Sequence, residues 1–236
     1  MREGFEIEPA VKIRDLRKVY KVGSEKVIAL NSIDMEIERG QICCLLGTSG
    51  SGKSTLLNIM AGLEKPTKGT VTVNGGKIES MSEKELAIFR QKNIGFIFQS
   101  YNLMGSLTAL ENVSLPLTFK GMSKGEREKK AEKLLEAVGL KKHIMHKPTQ
   151  MSGGQQQRVG IARAFVGKPG IVFADEPTGN LDSKTTKEVM ELMLNMAKKN
   201  NQTLVIVTHD PSIAEFADKV VYILDGDIEK IEEKNK

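Results

Sequence analysis

The residues Gln41-Ile-Cys-Cys-Leu-Leu46, followed at once by Gly47-Thr48-Ser49-Gly50-Ser51-Gly52-Lys53-Ser54-Thr55, decide the fold class of this chain. The first six are short, apolar and stopped by a glycine, which reads as a buried strand. The nine that follow match the phosphate-binding loop pattern. A helix is expected to begin near Lys53 and to end by Gly62, because Pro66 and Gly69 come next. Strand, glycine-rich turn and helix in that order make a phosphate cradle. Glycines let the backbone wrap closely with its N–H groups facing inward, and the helix adds its positive end. Lys53 is placed to reach the β- and γ-phosphates, and the Ser54 hydroxyl to ligate Mg2+. By average residue frequencies the pattern arises by chance in roughly one chain per hundred of this size. A merely structural glycine turn has no need of the Lys-Ser pair, so the stretch is read as a nucleotide phosphate site.

Working outward, strand-like apolar runs alternate with helical patterns, the signature of an α/β fold with a largely parallel sheet. Two β-rich stretches, Val11–Tyr20 and Val27–Ile37, precede the loop. After it come a strand at Gly69–Val73, a helix at Ser82–Gln91 and a strand at Ile94–Phe98. From about Gln99 to Ala164 the pattern turns mainly helical, with a charged amphipathic stretch at Lys124–Val138. Strands return at Ile171–Ala174, Leu204–Val207 and Val220–Leu224, and Glu229–Lys236 reads as a short charged tail. The expected organisation is one unit, with a core of about residues 1–98 and 165–236 and a helical insertion of about 99–164.

The 236 residues suffice for a sizeable core, and 39% apolar with 28% charged residues fits a folded chain rather than a disordered or fibrous one. Uninterrupted apolar stretches such as Ile42–Leu46 are about five residues long, against roughly 20 for a spanning helix. The opening residues lack the apolar core of a signal peptide. The two cysteines, Cys43 and Cys44, are adjacent, which excludes a disulfide scaffold and points to a reducing cytoplasmic setting. Net charge is +5, carried by 27 Lys and 8 Arg spread along the chain. Nucleic-acid surfaces cluster their cations and favour Arg, so no nucleic-acid partner is expected.

Two further stretches carry chemistry. In Ile171-Val-Phe-Ala174-Asp175-Glu176 a carboxylate pair closes a buried strand, where an open α/β sheet binds its ligands. Alone it would be two solvated acids; with a phosphate loop upstream, Asp175 can hold the magnesium shell and Glu176 can face an attacking water. In Met151-Ser152-Gly153-Gly154-Gln155-Gln156-Gln157-Arg158, Ser152 is a natural N-cap and two glycines expose N–H groups at a positive helix end. One nucleotide needs one cradle, so the simplest use of a second is a neighbouring subunit's nucleotide.

Taken together, Gly47 to Thr55, Gln99, Ser152 to Gln155, Asp175-Glu176, Asn180-Leu181-Asp182 and His209, in that order and spacing, resemble the ATP-binding-cassette ATPases from about Val11 to Lys230. Ile94-Gly-Phe-Ile-Phe-Gln99 and Asp175-Glu-Pro-Thr-Gly-Asn-Leu-Asp182 are similar to the lipoprotein-release, macrolide-export and antimicrobial-peptide branch (LolD/MacB-like), with the cell-division FtsE type nearby. The resemblance implies a RecA-like P-loop core, an N-terminal antiparallel β-subdomain and an inserted α-helical subdomain. It implies ATP and Mg2+ as cofactors and two cassettes pairing head to tail, either two copies or this chain with a related one. Ser152, Gly153, Gly154 and Gln155 would then meet the partner's ATP. Gln99 would sit near magnesium and water, Glu176 would be the general base, His209 would sense the γ-phosphate, Asp182 would bridge the two sites, and Tyr20 would stack on adenine. An integral membrane permease would be the second partner, with the cassette on the cytoplasmic face of the membrane.

Three departures from the branch pattern stand out. Met151 replaces leucine, a near-neutral change; Thr48 stands where proline is frequent; Gly160 stands inside a helix where alanine is usual, at a cost of about 1 kcal/mol. His143 and His146 lack a second ligand pair, which argues against zinc. Leu103, Leu107, Leu110, Leu115, Leu117 and Phe119 read as core, yet the resemblance puts a permease groove here, with Tyr101 and Leu103 expected to be exposed. The expected function is ATP-driven export or extraction of a lipoprotein, peptide or drug. The alternatives are FtsE-like force transmission to an extracytoplasmic enzyme, a soluble cassette ATPase on DNA or ribosomes, and a binding module without catalysis.

Overall fold

In the computed structural model, which describes residues 8–234, strand β3 (Ile42–Leu46) lies at the heart of a six-stranded sheet and is buried along its whole length. Its neighbours are β8 (Thr203–Thr208) and β9 (Lys219–Leu224), both parallel to it. The order continues through β7 (Ile171–Asp175) to β6 (Ile94–Phe98) on one side and ends at β10 on the other. β10 spans Asp227–Glu233 and runs antiparallel to β9. Parallel strands covered on both faces read as near-continuous apolar runs, as Ile42–Leu46, Ile171–Ala174 and Leu204–Val207 do.

Alternation along β3 splits the core in two. Cys43 and Leu45 face a cluster with Leu56 and Leu57 of α1 (Lys53–Met60). That cluster also holds Ile13 of β1 (Val11–Val22) and Ile33 of β2 (Glu25–Ile37). Ile42, Cys44 and Leu46 face the other layer, which includes Ile161 of α5 (Gly153–Phe165), Met190 of α6 (Ser183–Lys199) and Ile213 of α7 (Pro211–Ala214). Successive side chains of a strand point to opposite faces, so the two cysteines sit in different clusters. Both thiols are free, and burial pushes both well above the usual thiol range. β1 and β2 join β4 (Lys68–Val73) and β5 (Gly76–Lys77) in a second, antiparallel sheet of order β2-β1-β4-β5. A third apolar cluster joins α3 (Ala109–Phe119), α4 (Lys124–Ala137) and one face of α5, whose opposite face belongs to the main sheet.

Serine, threonine and aspartate set the helix starts. Ser82 caps α2 (Glu83–Asn93), Thr108 caps α3 and Ser152 caps α5, each in a reciprocal box with Glu85, Glu111 or Gln155, while Asp182 caps α6. Residues between Gln99 and Leu107 are not helical as expected: Tyr101 and Asn102 both take left-handed backbone angles, with φ of 60° and 46°.

The expected charged tail is corrected most clearly. Glu229–Glu233 belongs to β10, and Asn235 and Lys236 lie outside the described residues. Asp225 and Gly226, with φ of 49° and 85°, form the two-residue turn between β9 and β10. Ile228 packs on the core while charged neighbours face solvent, as suits a sheet edge. At Gly160, buried within α5, an added methyl would find its nearest neighbours 3.8 Å away, the Gln157 side chain and the Tyr101 carbonyl. Gly160→Ala is expected to stabilise by about 1 kcal/mol and to raise Tm by roughly 2–4 °C; an unchanged or lowered melting temperature would show hidden crowding there.

Candidate active site

β3 delivers the chain into Gly47, which packs so closely on β9 that a Cβ would lie 2.1 Å from the Ile223 carbonyl oxygen. The loop is held from the same side by the hairpin turn, whose Gly226 N–H donates to the Ser51 carbonyl at 3.0 Å. Gly52, with φ of 100°, begins α1 without any side-chain cap, and no acidic residue stands in the first turn. The N–H groups there are left for an outside acceptor, in contrast with the capped α2, α3, α5 and α6.

Lys53 is buried, and its ammonium donates to the Thr48 carbonyl at 2.6 Å and the Ser51 hydroxyl at 3.3 Å. Burial lowers its pKa, against the pull of Glu176 and Asp175. Those two carboxylates stand at the end of β7. The Ser54 hydroxyl donates to Asp175 at 3.4 Å, and burial, reinforced by Glu176, raises the Asp175 pKa against the opposing effects of Ser54 and Lys53. A hydroxyl and a carboxylate whose charge is under-compensated are hard oxygen donors suited to Mg2+. Among the described residues no group of three or more His, Cys, Asp or Glu could hold a metal ion.

Glu176 has φ of 43°, a strained angle for a non-glycine residue. Its N–H donates to Val207 O at 2.9 Å, its Oε1 lies 2.8 Å from His209 Nδ1, and its Oε2 accepts from the Thr208 hydroxyl at 3.3 Å. Gln99, just past β6, accepts from Asn180 Nδ2 on its carbonyl at 3.0 Å. Its amide nitrogen lies 2.7 Å from where a Gly179 Cβ would be. Gly47, Thr48, Ser49, Gly50, Lys53, Ser54, Gln99, Asp175, Glu176 and His209 thus line one cavity of about 780 Å³.

The remaining expected residues lie elsewhere. Ser51 is buried under the loop, and Thr55 is turned towards Tyr20. Tyr20 sits on β1 outside the cavity; its hydroxyl donates to Glu64 at 2.5 Å and the Lys18 ammonium lies 4.9 Å from its ring centre. Ser152, Gly153, Gly154, Gln155 and Asp182 line a separate hollow of about 340 Å³ with Arg158 and Asn180. The Asp182 carboxylate accepts from Lys184 N at 3.1 Å and Thr185 N at 3.0 Å, a capping duty that pattern reading did not assign. Reading by pattern also passed over Thr208 and Arg163. A threonine closing an apolar strand before His209 was the available signal for the first. Arg163 donates to the Tyr101 carbonyl at 2.9 Å and to that of Asn102, and an arginine inside Ile161-Ala-Arg-Ala-Phe165 was the signal for it.

A phosphate cradle faced by carboxylates at the C-terminal ends of parallel strands defines a nucleotide-hydrolysing enzyme of the P-loop class. The chain belongs to the ABC transporter family, whose model matches residues 30–179. An uncharacterised ABC transporter ATP-binding protein of Methanocaldococcus jannaschii is 49% identical, the alignment covering 94% of this chain and 98% of that one. The lipoprotein-releasing system ATP-binding protein LolD of Legionella pneumophila is 46% identical, covering 90% and 94%. The dimeric post-hydrolysis structure of the ATP-binding cassette MJ0796, bound to ADP and Pi, superposes with a TM-score of 0.89 at 44% identity, covering 96% of this chain and 99% of that one. This chain is an ATP-binding cassette ATPase, and the α/β P-loop fold expected from its sequence is the one found.

Gly47 and Gly50 separate steric from conformational need. Gly50 has φ of 81° but open space around it, whereas Gly47 faces a backbone carbonyl that cannot turn aside. Gly47→Ala should cost more than about 3 kcal/mol and Gly50→Ala about 1 kcal/mol. Denaturant melts of the two variants check the order; the reverse order would show that β9 yields.

Proposed function

We propose that two copies of this chain close head to tail, each ATP held between the loop of one and Ser152–Gln155 of the other. The observation that carries this reading is that one chain bears two half-sites with no lining residue in common. Neither hollow is complete alone. The first offers a buried cation and an open helix end; the second offers a helix N-terminus with two glycines.

In the closed state Lys53 and the α1 N–H groups would neutralise the β- and γ-phosphates, and the partner's capped serine helix would face the γ-phosphate from the other side. Glu176 would accept a proton from the attacking water. Its strained backbone and its Thr208 and His209 contacts hold the carboxylate at the cavity wall. His209 is mostly exposed, so its second ring nitrogen is free to meet phosphate. Ser54 and Asp175 would hold Mg2+ with Gln99 nearby; bound there, the ion supplies charge neutralisation at the β- and γ-oxygens. Tyr20 would stack on adenine and Asp182 would stand at the junction of the two copies. Glu176→Gln should retain ATP binding, lose at least about 100-fold in turnover and accumulate as a dimer in MgATP. Undiminished hydrolysis would remove Glu176 from the mechanism.

For the second partner, the support is an apolar groove of about 400 Å³ between α2 and α3, lined by Ala87, Ile88, Ile94, Leu115, Pro116 and Phe119. Phe119 is 69% exposed and Ile88 43%. Tyr101 and Leu103, expected to be exposed, are half-buried instead, Leu103 against the third cluster. No helix among the described residues is long and apolar enough to cross a membrane. An integral membrane permease seated in this groove would place the cassette on the cytoplasmic face. There ATP-driven closure would power export or extraction of a lipoprotein, peptide or drug. The Glu176→Gln chain with MgATP should co-purify a permease from detergent-solubilised native membranes, and adding Phe119→Asp should abolish that while ATP-driven dimerisation persists. Recovery of a soluble complex alone would overturn the transport reading.

A further inference from the structure

The amide of Gln155, third residue of α5, is used at both ends. Its Oε1 accepts from the Ser152 N–H at 2.9 Å, and its Nε2 lies 3.3 Å from His143 Nε2. His143 closes the 3₁₀ turn Lys141–His143. With Gln155 Oε1 committed to Ser152, its Nε2 has only protons to offer. In that orientation the His143 Nε2 is the acceptor. The ring's Nδ1 is buried and without a hydrogen-bond partner among the described residues, and the His146 ring stands nearly perpendicular at 5.0 Å. Flipping the Gln155 amide would set its NH2 against the Ser152 N–H and lose that contact.

We propose that His143 is a positioning residue for the serine–glycine helix end: it tethers the far end of the Gln155 amide whose oxygen caps Ser152, and so keeps the half-site offered to the partner's nucleotide ordered before closure. The inference rests on the head-to-tail reading above. His143 touches no nucleotide; it acts through Gln155.

The test uses the full chain carrying Glu176→Gln, with ATP affinity of the monomer and the dimer dissociation constant in MgATP measured separately. His143→Phe keeps a ring but removes the acceptor, and His143→Gln restores an oxygen at the same reach. The phenylalanine change should leave monomer ATP affinity intact, because the loop is untouched, and weaken dimerisation about tenfold. The glutamine change should recover most of that loss. Equal dimerisation in all three, or equal weakening by both substitutions, would overturn the proposal. Should the phenylalanine chain fail to fold by thermal melt, His143→Leu takes its place with the same criteria. If the Glu176→Gln parent itself stays monomeric at saturating MgATP, the head-to-tail reading fails and the role of His143 falls with it.

Discussion

An open helix end governs this molecule. The first turn of α1 carries N–H groups that no side chain caps, behind a loop whose Gly47 and Gly52 lie against backbone atoms of β9 and β2. Capping with a serine or an aspartate, as at α2 and α6, would stabilise the helix by about 1 kcal/mol and fill the anion site. The chain forgoes that gain at the one helix that follows the central strand. The rest of the fold keeps the loop in place despite it: β3 is buried on both faces, and the Asp225-Gly226 turn grips Ser51 from behind.

The electrostatics show the same unrelieved state. Burial disfavours the charged forms of both Lys53 and Asp175; Glu176 and Asp175 offset part of the penalty on Lys53, whereas Glu176 adds to the penalty on Asp175 that Ser54 and Lys53 relieve only in part. A polyanion beside the lysine and a cation beside the aspartate would each remove part of that penalty. Binding energy is therefore available at the place where the loop and β7 face each other. Strain at Glu176 belongs to the same pattern, since functional sites hold conformations that their surroundings must support.

Legibility in the sequence followed locality. The loop, the Ser152 cap and the buried strands were readable because a few adjacent residues specify each of them: Lys53-Ser54 after glycines, Ser152 before two glycines, five apolar residues at Ile42–Leu46. β10 was not, because an edge strand tolerates charge, and Glu229, Lys230 and Glu232 outweighed Ile228, Ile231 and the Asp-Gly turn before them, the two isoleucines being three apart rather than alternating. The order of strands, which brings Glu176 and His209 opposite Lys53, depends on pairings between residues over a hundred positions apart, such as Ile42 with Leu204. The exposed groove eluded pattern reading for a related reason. Leu103 and Phe119 are equally apolar in sequence, and only the packing of α3 on α4 and α5 decides which is covered.

α5 ties these parts into one device. Its N-terminus carries the serine–glycine half-site, one face enters the main sheet's core, and the other enters the helical cluster. Farther along, Arg163 lies in the wall of the apolar groove and holds the carbonyls of Tyr101 and Asn102, two residues beyond Gln99 and both in left-handed conformations. The Tyr101 phenol oxygen in turn lies 2.7 Å from where a Gly153 Cβ would be. Adjacency alone is not coupling. Here, however, the turn after Gln99 is clamped at one end to the groove and at the other to the half-site. A close-packed junction responds to displacement by shifting as a unit rather than by yielding locally. Whatever occupies the groove meets Arg163 in its wall. The same side chain holds the two carbonyls after Gln99, so direct contacts link the groove, the turn beside the catalytic cavity and the serine–glycine helix end.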